Sequence, residues 1–247
     1  MLRWSTADPG PRGRVVRALT SRAGGVSRGP WAGLDLAEHV GDDPDDVAEN
    51  RRRLAAVIGV PVERLVVARQ VHGAGVETVH GPWPAGPPEA DALVTGEPGT
   101  VLAVLVADCV PVMMVAPDEG VVAVAHAGRR GLVAAVVPAT LERMRSLGAG
   151  RVLATIGPSV CGACYEVPAE LRGEVAADHP VTATTTRWGT PGLDVAAGVH
   201  AQLLDAGAEV ERVPGCTFED PDLYSYRRDG VTGRFAGLAW LDDGTLR

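Results

Sequence analysis

The sequence predicts one domain of the α/β (α+β) class, spanning residues 1–247, and three observations predict it. Apolar residues recur at helical spacing in some stretches and run together in others, and the two kinds of stretch interleave along the chain. A chain of 247 residues buries a sizeable single core. No fixed-period repeat divides it, and the Pro-rich GPWPAGPPEA at 81–90 is short enough to be a surface loop.

In chain order, RVVRALTSR (14–22) reads as the first strand. PDDVAENRRRLAAVIG (44–59) reads as a helix, because DDPDD offers a capping Asp and a proline for the first turn. RLVVARQVHG (64–73) and GVETVH (75–80) read as strands, and TVLAVLVADCVPVMMVA (100–116) as one long buried strand. The turn PDEG (117–120) joins it to GVVAVAHAG (120–128) as an antiparallel hairpin. GLVAAVVPATLERMRSLG (131–148), PAELRGEVAAD (168–178) and LDVAAGVHAQLLDAG (193–207) follow as helices, with RVLATIG (151–157) and RFAGLAWL (234–241) as further strands.

Composition narrows the function. Hydrophobic residues make up 46% and charged residues 22%, the balance of a soluble globular protein, and no apolar run reaches the roughly 18 residues of a membrane span. No continuous apolar segment follows the basic residues of the N-terminus, so a cytoplasmic location is expected, where the cysteines at 109, 161, 164 and 216 stay reduced. A net charge of −8 with no basic run beyond NRRRL argues against nucleic acid and favours small-molecule partners, with the chain a monomer or small homo-oligomer. All 23 positively charged residues are arginine, which excludes Schiff bases, pyridoxal phosphate and a P-loop lysine.

The hairpin carries the chemistry. Pairing Ala116 with Val121 puts Cys109 opposite Gly128 and makes Cys109 and His126 diagonal neighbours on one face, roughly 7 to 8 Å apart at Cα. His72, before a glycine turn in RQVHG, supplies a third donor. Two imidazoles and a thiolate suit Zn²⁺ and leave a fourth position open. The bland alternative is a buried cysteine and a histidine capping a turn. Met113 and Met114 read as core filler, and CGAC (161–164) lacks the βαβ context of a redox motif.

Two arginine groups offer anion sites. AGRRGL presents backbone amides with Arg129 or Arg130, and YSYRRDGVTGRFAG places Arg227, Arg228 and Arg234 around a turn, where guanidiniums grip phosphate or a sugar. A solvated charged hairpin explains the second group equally well. Asp108 reads as support for its neighbour Cys109, with Asp91 and Glu166 as unranked alternative carboxylates.

Assembled, these residues resemble the family first called polyphenol oxidases or laccase-domain proteins (YfiH-like), now regarded as purine nucleoside phosphorylases with adenosine deaminase activity. The matching stretches are SRAGGVS, HVGDDPDDVAENR, QVHG, ADALVT, ADCVPVM, AHAGRRG, IGPSVCGACYEV and YSYRRDGVTGR, in order along nearly the whole chain. The resemblance implies a zinc site at His72, Cys109 and His126, which also serve catalysis, and a layered α/β/β/α fold with mixed sheets, similar to cysteine hydrolases. Two positions depart from the family pattern: Arg129 stands where AGWRG has Trp, and Asp35 where LNLG has Asn.

The expected function is zinc-dependent phosphorolysis of adenosine, inosine, guanosine or methylthioadenosine to base and sugar 1-phosphate, with deamination of adenosine. The rivals are a metal-free hydrolase or deamidase using Cys109 as nucleophile and His126 as base, a non-catalytic metal-binding adaptor, and a copper-dependent polyphenol oxidase. The last needs more imidazoles than six scattered histidines without a His-x-His pair supply, so copper is the alternative cation and zinc the expected one.

Overall fold

The long apolar run at 100–116 decides the architecture, because it does not form one strand. In the computed structural model, which describes residues 1–244, it splits at Ala107, Asp108 and Cys109 into strands that belong to two different sheets. In chain order the elements are β1 (Leu2–Gly10), β2 (Gly13–Thr20), α1 (Pro44–Ile58), β3 (Leu65–Val66), β4 (Val76–Thr78), β5 (Ala92–Thr95), β6 (Val101–Val106), β7 (Val110–Ala116) and β8 (Val121–Ala127). There follow α2 (Arg129–Val133), α3 (Val136–Ser146), β9 (Leu153–Ile156), α4 (Ala169–Asp178), β10 (Ala183–Thr185), β11 (Pro191–Leu193), α5 (Val195–Asp205), β12 (Glu209–Arg212), α6 (Tyr226–Asp229) and β13 (Phe235–Asp242).

One sheet runs β1-β2-β13-β6-β3 and the other β12-β9-β7-β8-β5-β4, while β10 and β11 pair separately. Both large sheets are mixed: β3 pairs β6 in parallel, and β12 with β9 and β4 with β5 are parallel too, among otherwise antiparallel neighbours. Strand alternation then builds three cores. Leu102 and Val104 of β6, Met113 and Val115 of β7 and Phe235 of β13 meet between the sheets. Val112 and Met114 of β7 face Val137 and Leu141 of α3 and Val199 and Leu203 of α5. Ala103 and Leu105 of β6 face Leu54 and Ala55 of α1. The result is the expected α/β/β/α layering, with each fully buried Val or Leu contributing roughly 1.5–3 kcal/mol. Met113 and Met114 are wholly buried core residues.

Helix α1 forms as its sequence dictates. The Asp43 side chain accepts the Asp45 amide at 2.9 Å, Pro44 opens the first turn, and Gly59 at φ 86° closes the C-terminus in the left-handed region. The helix expected over 131–148 is instead broken into α2 and α3 at Ala135, whose φ is 60°. Pro138 is the reason: it lacks the N–H that a continuous helix would bond back to residue 134, so it is accommodated in the first turn of a new helix. The strand expected over 64–73 shrinks to two residues, and β1, β5, β10, β11, β12 and α6 form where no element was expected. Among the described residues no helix is long and apolar enough to cross a membrane.

Candidate metal centre

The hairpin register is the expected one: Ala116 pairs with Val121 and Pro111 with His126, and the ladder ends at Val110 and Ala127. Cys109 and His126 therefore share the face of the hairpin that looks between the sheets, at the end where the chain crosses from β6 to β7. Gly128 lies where Cys109 and His72 converge, since a Cβ added there would stand 2.8 Å from Cys109 Sγ and 3.1 Å from His72 Cδ2. The imidazoles of His72 and His126 meet edge to face with centroids 4.7 Å apart. A ring nitrogen of each and Cys109 Sγ all lie within 4.8 Å of one another.

One carboxylate organises this set. Asp91, directly before β5, accepts His126 Nδ1 at 2.9 Å, while the successive amides of Val71, His72 and Gly73 point into the same carboxylate at 3.3, 2.9 and 2.6 Å. Those amides form an anion-holding nest that keeps His72 at φ 61°, a conformation a histidine otherwise seldom adopts. Burial raises the Asp91 carboxyl, but the His126 hydrogen bond and the amides outweigh it and hold it below the ordinary range. With Nδ1 occupied, His126 presents Nε2 to the cavity.

Burial alone would raise the Cys109 thiol, yet the adjacent imidazoles of His126 and His72 draw it down to about 6. His126, which burial would lower, is raised to about 9 by Cys109 and Asp91. The two charges favour each other, and a cation taken up by the Cys109 thiolate would displace a proton from His126. A soft thiolate, two imidazoles and a carboxylate behind one of them are donors that could hold a divalent metal ion and leave one position open.

The three side chains lie on the wall of a cavity of about 430 Å³. Arg129 of α2, Arg227 of α6 and Arg234 line it as well, together with His39, Gln70, Tyr165 and Tyr226. Arg227 stacks its guanidinium 5.0 Å above the Tyr165 ring. Arg228 does not face the cavity: it donates to the carbonyls of Thr217, Asp220 and Leu223 and pairs with Asp229. Neither Arg130 nor the exposed Glu166 lines the cavity.

Asp108 sits in the crossing between the sheets at φ 96°, and its carboxylate accepts the hydroxyls of Thr217 and Ser225 and the amide of Arg227, each at 2.6 Å. It supports the centre, tying the Cys109 turn to the loop that presents Arg227. Sequence reasoning did not find His39, although it opens the stretch HVGDD. Burial, then the charges of Arg234 and Arg51, lower its pKa and favour the neutral ring. The CGAC cysteines lie away from the cavity, and burial pushes the Cys164 thiol up to about 12, opposite to the shift a redox-active thiol needs.

A family model described as multi-copper polyphenol oxidoreductase laccase matches residues 16–242. A protein named purine nucleoside phosphorylase from Streptomyces coelicolor is 54% identical over 228 residues, covering 91% of this chain and 94% of its own. One of the same name from Mycobacterium bovis is 50% identical over 93% of each chain. The crystal structure of YlmD from Geobacillus stearothermophilus superposes with a TM-score of 0.85 at 34% identity, over 92% of both chains.

Proposed function

This chain belongs to the multi-copper polyphenol oxidoreductase laccase family, and we propose that within it the protein is a zinc-dependent purine nucleoside phosphorylase that also deaminates adenosine. The relatives named purine nucleoside phosphorylase support the reaction class. The observation that carries the reading is the cavity itself, nucleoside-sized, with His72, Cys109 and His126 on one wall and three arginines around it.

Phosphorolysis needs inorganic phosphate held against C1′ of the ribose. Arg129, Arg227 and Arg234 supply the charge and the forked N–H groups for it. A phosphate oxygen bonds to C1′, the bond from C1′ to N9 breaks with its electron pair on the purine, and the proton that hydrogen phosphate gives up goes to the departing base. Tyr165 and Tyr226 offer aromatic faces to the purine, and neutral His39 exchanges hydrogen bonds with its polar edge. In deamination, water adds at C6 of adenosine and ammonia leaves, giving inosine.

Zn²⁺ at His72, Cys109 and His126 supplies a Lewis acid on the cavity wall. Zinc is the metal of this reading because two imidazoles and a thiolate with one open position match the donor pattern of a catalytic zinc site. Asp91 is fully engaged by the amides and by His126, so its part is to hold the two histidines.

Incubating the purified protein with adenosine and phosphate tests the reading. Adenine with ribose 1-phosphate marks phosphorolysis and inosine marks deamination. A metal-loaded protein that yields neither overturns the proposal, and full activity after zinc has been stripped leaves Cys109 as a nucleophile instead.

A further inference from the structure

The CGAC turn brings its two thiols to a third cysteine far away in the sequence. Donor atoms of Cys161, Cys164, Cys216 and Glu219 all lie within 4.8 Å of one another. None of the four lines the cavity of the first centre. From this geometry we infer a second, structural zinc site, closed by three thiolates and one carboxylate, that fastens the wall of the nucleoside cavity from behind.

The local backbone is already shaped for it. The amides of Cys164 and Tyr165 both fold back to the Cys161 carbonyl at 2.9 Å, the tight turn that aims two thiols of a C-x-x-C stretch at one point. The Cys161 amide donates to Cys216 Sγ at 3.4 Å, and Ser159 and Cys216 form a parallel bridge that holds the two segments side by side. Arg187 donates to Cys164 Sγ at 2.7 Å and to the Glu219 carboxylate, which offsets one of the four negative charges the ligands carry. Cys164 and Cys216 are buried, whereas Glu219 is exposed and leaves an entry path.

Four donors with no vacant vertex describe a structural zinc site. A disulfide fits less well, since any pairing among three adjacent sulfurs strands one thiol and uses neither Glu219 nor Arg187. One of the segments joined here lines the cavity through Val160 and Tyr165, and the other bonds to its Asp108. The Val160 amide donates to the Asp108 carbonyl at 3.0 Å, Thr217 donates to the Asp108 carboxylate, and Tyr165 carries the Arg227 guanidinium. Zinc at this point fixes the segment holding Tyr165 against the segment holding Thr217, and so sets where Arg227 stands.

The test is metal content and cobalt spectroscopy on the full chain. Wild-type protein should carry two zinc ions, and Cys109→Ser, which removes a ligand of the first centre, should retain one. Cobalt loaded into Cys109→Ser should then show charge-transfer absorption as intense as three thiolates give, and Cys164→Ser should weaken it. Chelation should lower the melting temperature of Cys109→Ser but leave that of Cys109→Ser/Cys161→Ser/Cys164→Ser unmoved. A Cys109→Ser protein that binds no metal overturns the site, as does a disulfide among Cys161, Cys164 and Cys216 found by mass spectrometry without reduction.

Discussion

His126 Nδ1 lies 2.9 Å from Asp91 Oδ1, and the same oxygen takes the His72 amide at 2.9 Å, so one carboxylate sets both imidazoles of the first centre. Asp91→Asn keeps the shape but turns an amide N–H toward donors. Metal affinity should fall about 10- to 100-fold, as it does when carboxylates behind ligating histidines are removed. Competition against a chromophoric chelator measures it, and an unchanged affinity would confine Asp91 to holding the backbone.

Gly128 is required by contact and not by its backbone angles. A methyl group there enters within 2.8 Å of Cys109 Sγ and 3.1 Å of His72 Cδ2, both attached to positions the hairpin and the Asp91 nest hold firmly. Gly128→Ala should therefore reduce metal occupancy and lower kcat/KM about 100-fold, the cost of misplacing reacting groups by about an ångström. Circular dichroism should show the fold intact, and a variant with normal metal content and turnover would contradict this packing.

These two relationships mark the limit of what the sequence revealed. Cys109 and His126 were legible because strand register is a matter of counting from the PDEG turn; the interleaved periodicities gave a mixed α/β class, and the α/β/β/α order came from the family resemblance. The amide nest of residues 71–73 was not, because a histidine at φ 61° leaves no mark on hydrophobic pattern. The break at Asp108 was hidden for a similar reason: β6 and β7 are apolar on both faces, so the run gives no sign of passing from one sheet to the other. Arg228 shows the same gap at the C-terminus, where composition predicts an anion site and the structure engages that guanidinium with backbone carbonyls.

Asp35 gives the protein a pH-dependent stability. Burial, with the Asp42 carboxylate beside it, outweighs the amides of Arg234 and Ala37 and raises its pKa to about 7, and its Oδ2 meets no donor. A carboxyl whose folded pKa lies above its unfolded one stabilises the fold at low pH. That contribution is lost as pH rises from about 4 through about 7, amounting to at most about 4 kcal/mol at roughly 1.4 kcal/mol per unit. Asp35→Asn offers Asp42 a donor and has no charge to desolvate. Urea midpoints should rise relative to wild type at pH 8 and match it near pH 4. Parallel pH profiles for the two proteins would remove Asp35 as the cause.

Arg227 and Arg228 are neighbours with opposite expectations. Arg227 faces the cavity over Tyr165, so Arg227→Ala should raise the KM for phosphate about 10- to 100-fold, the worth of a charge-assisted contact, with little change in melting temperature. Arg228 ties the carbonyls of Thr217, Asp220 and Leu223 together beneath the loop. Arg228→Ala leaves those acceptors without their donor and should destabilise the fold by about 2 kcal/mol, while the KM for phosphate moves much less. Steady-state kinetics against phosphate and thermal melts on both variants separate the roles. If Arg228→Ala raised the KM as far as Arg227→Ala at an unchanged melting temperature, the division between a substrate-facing arginine and a loop-building one would be wrong.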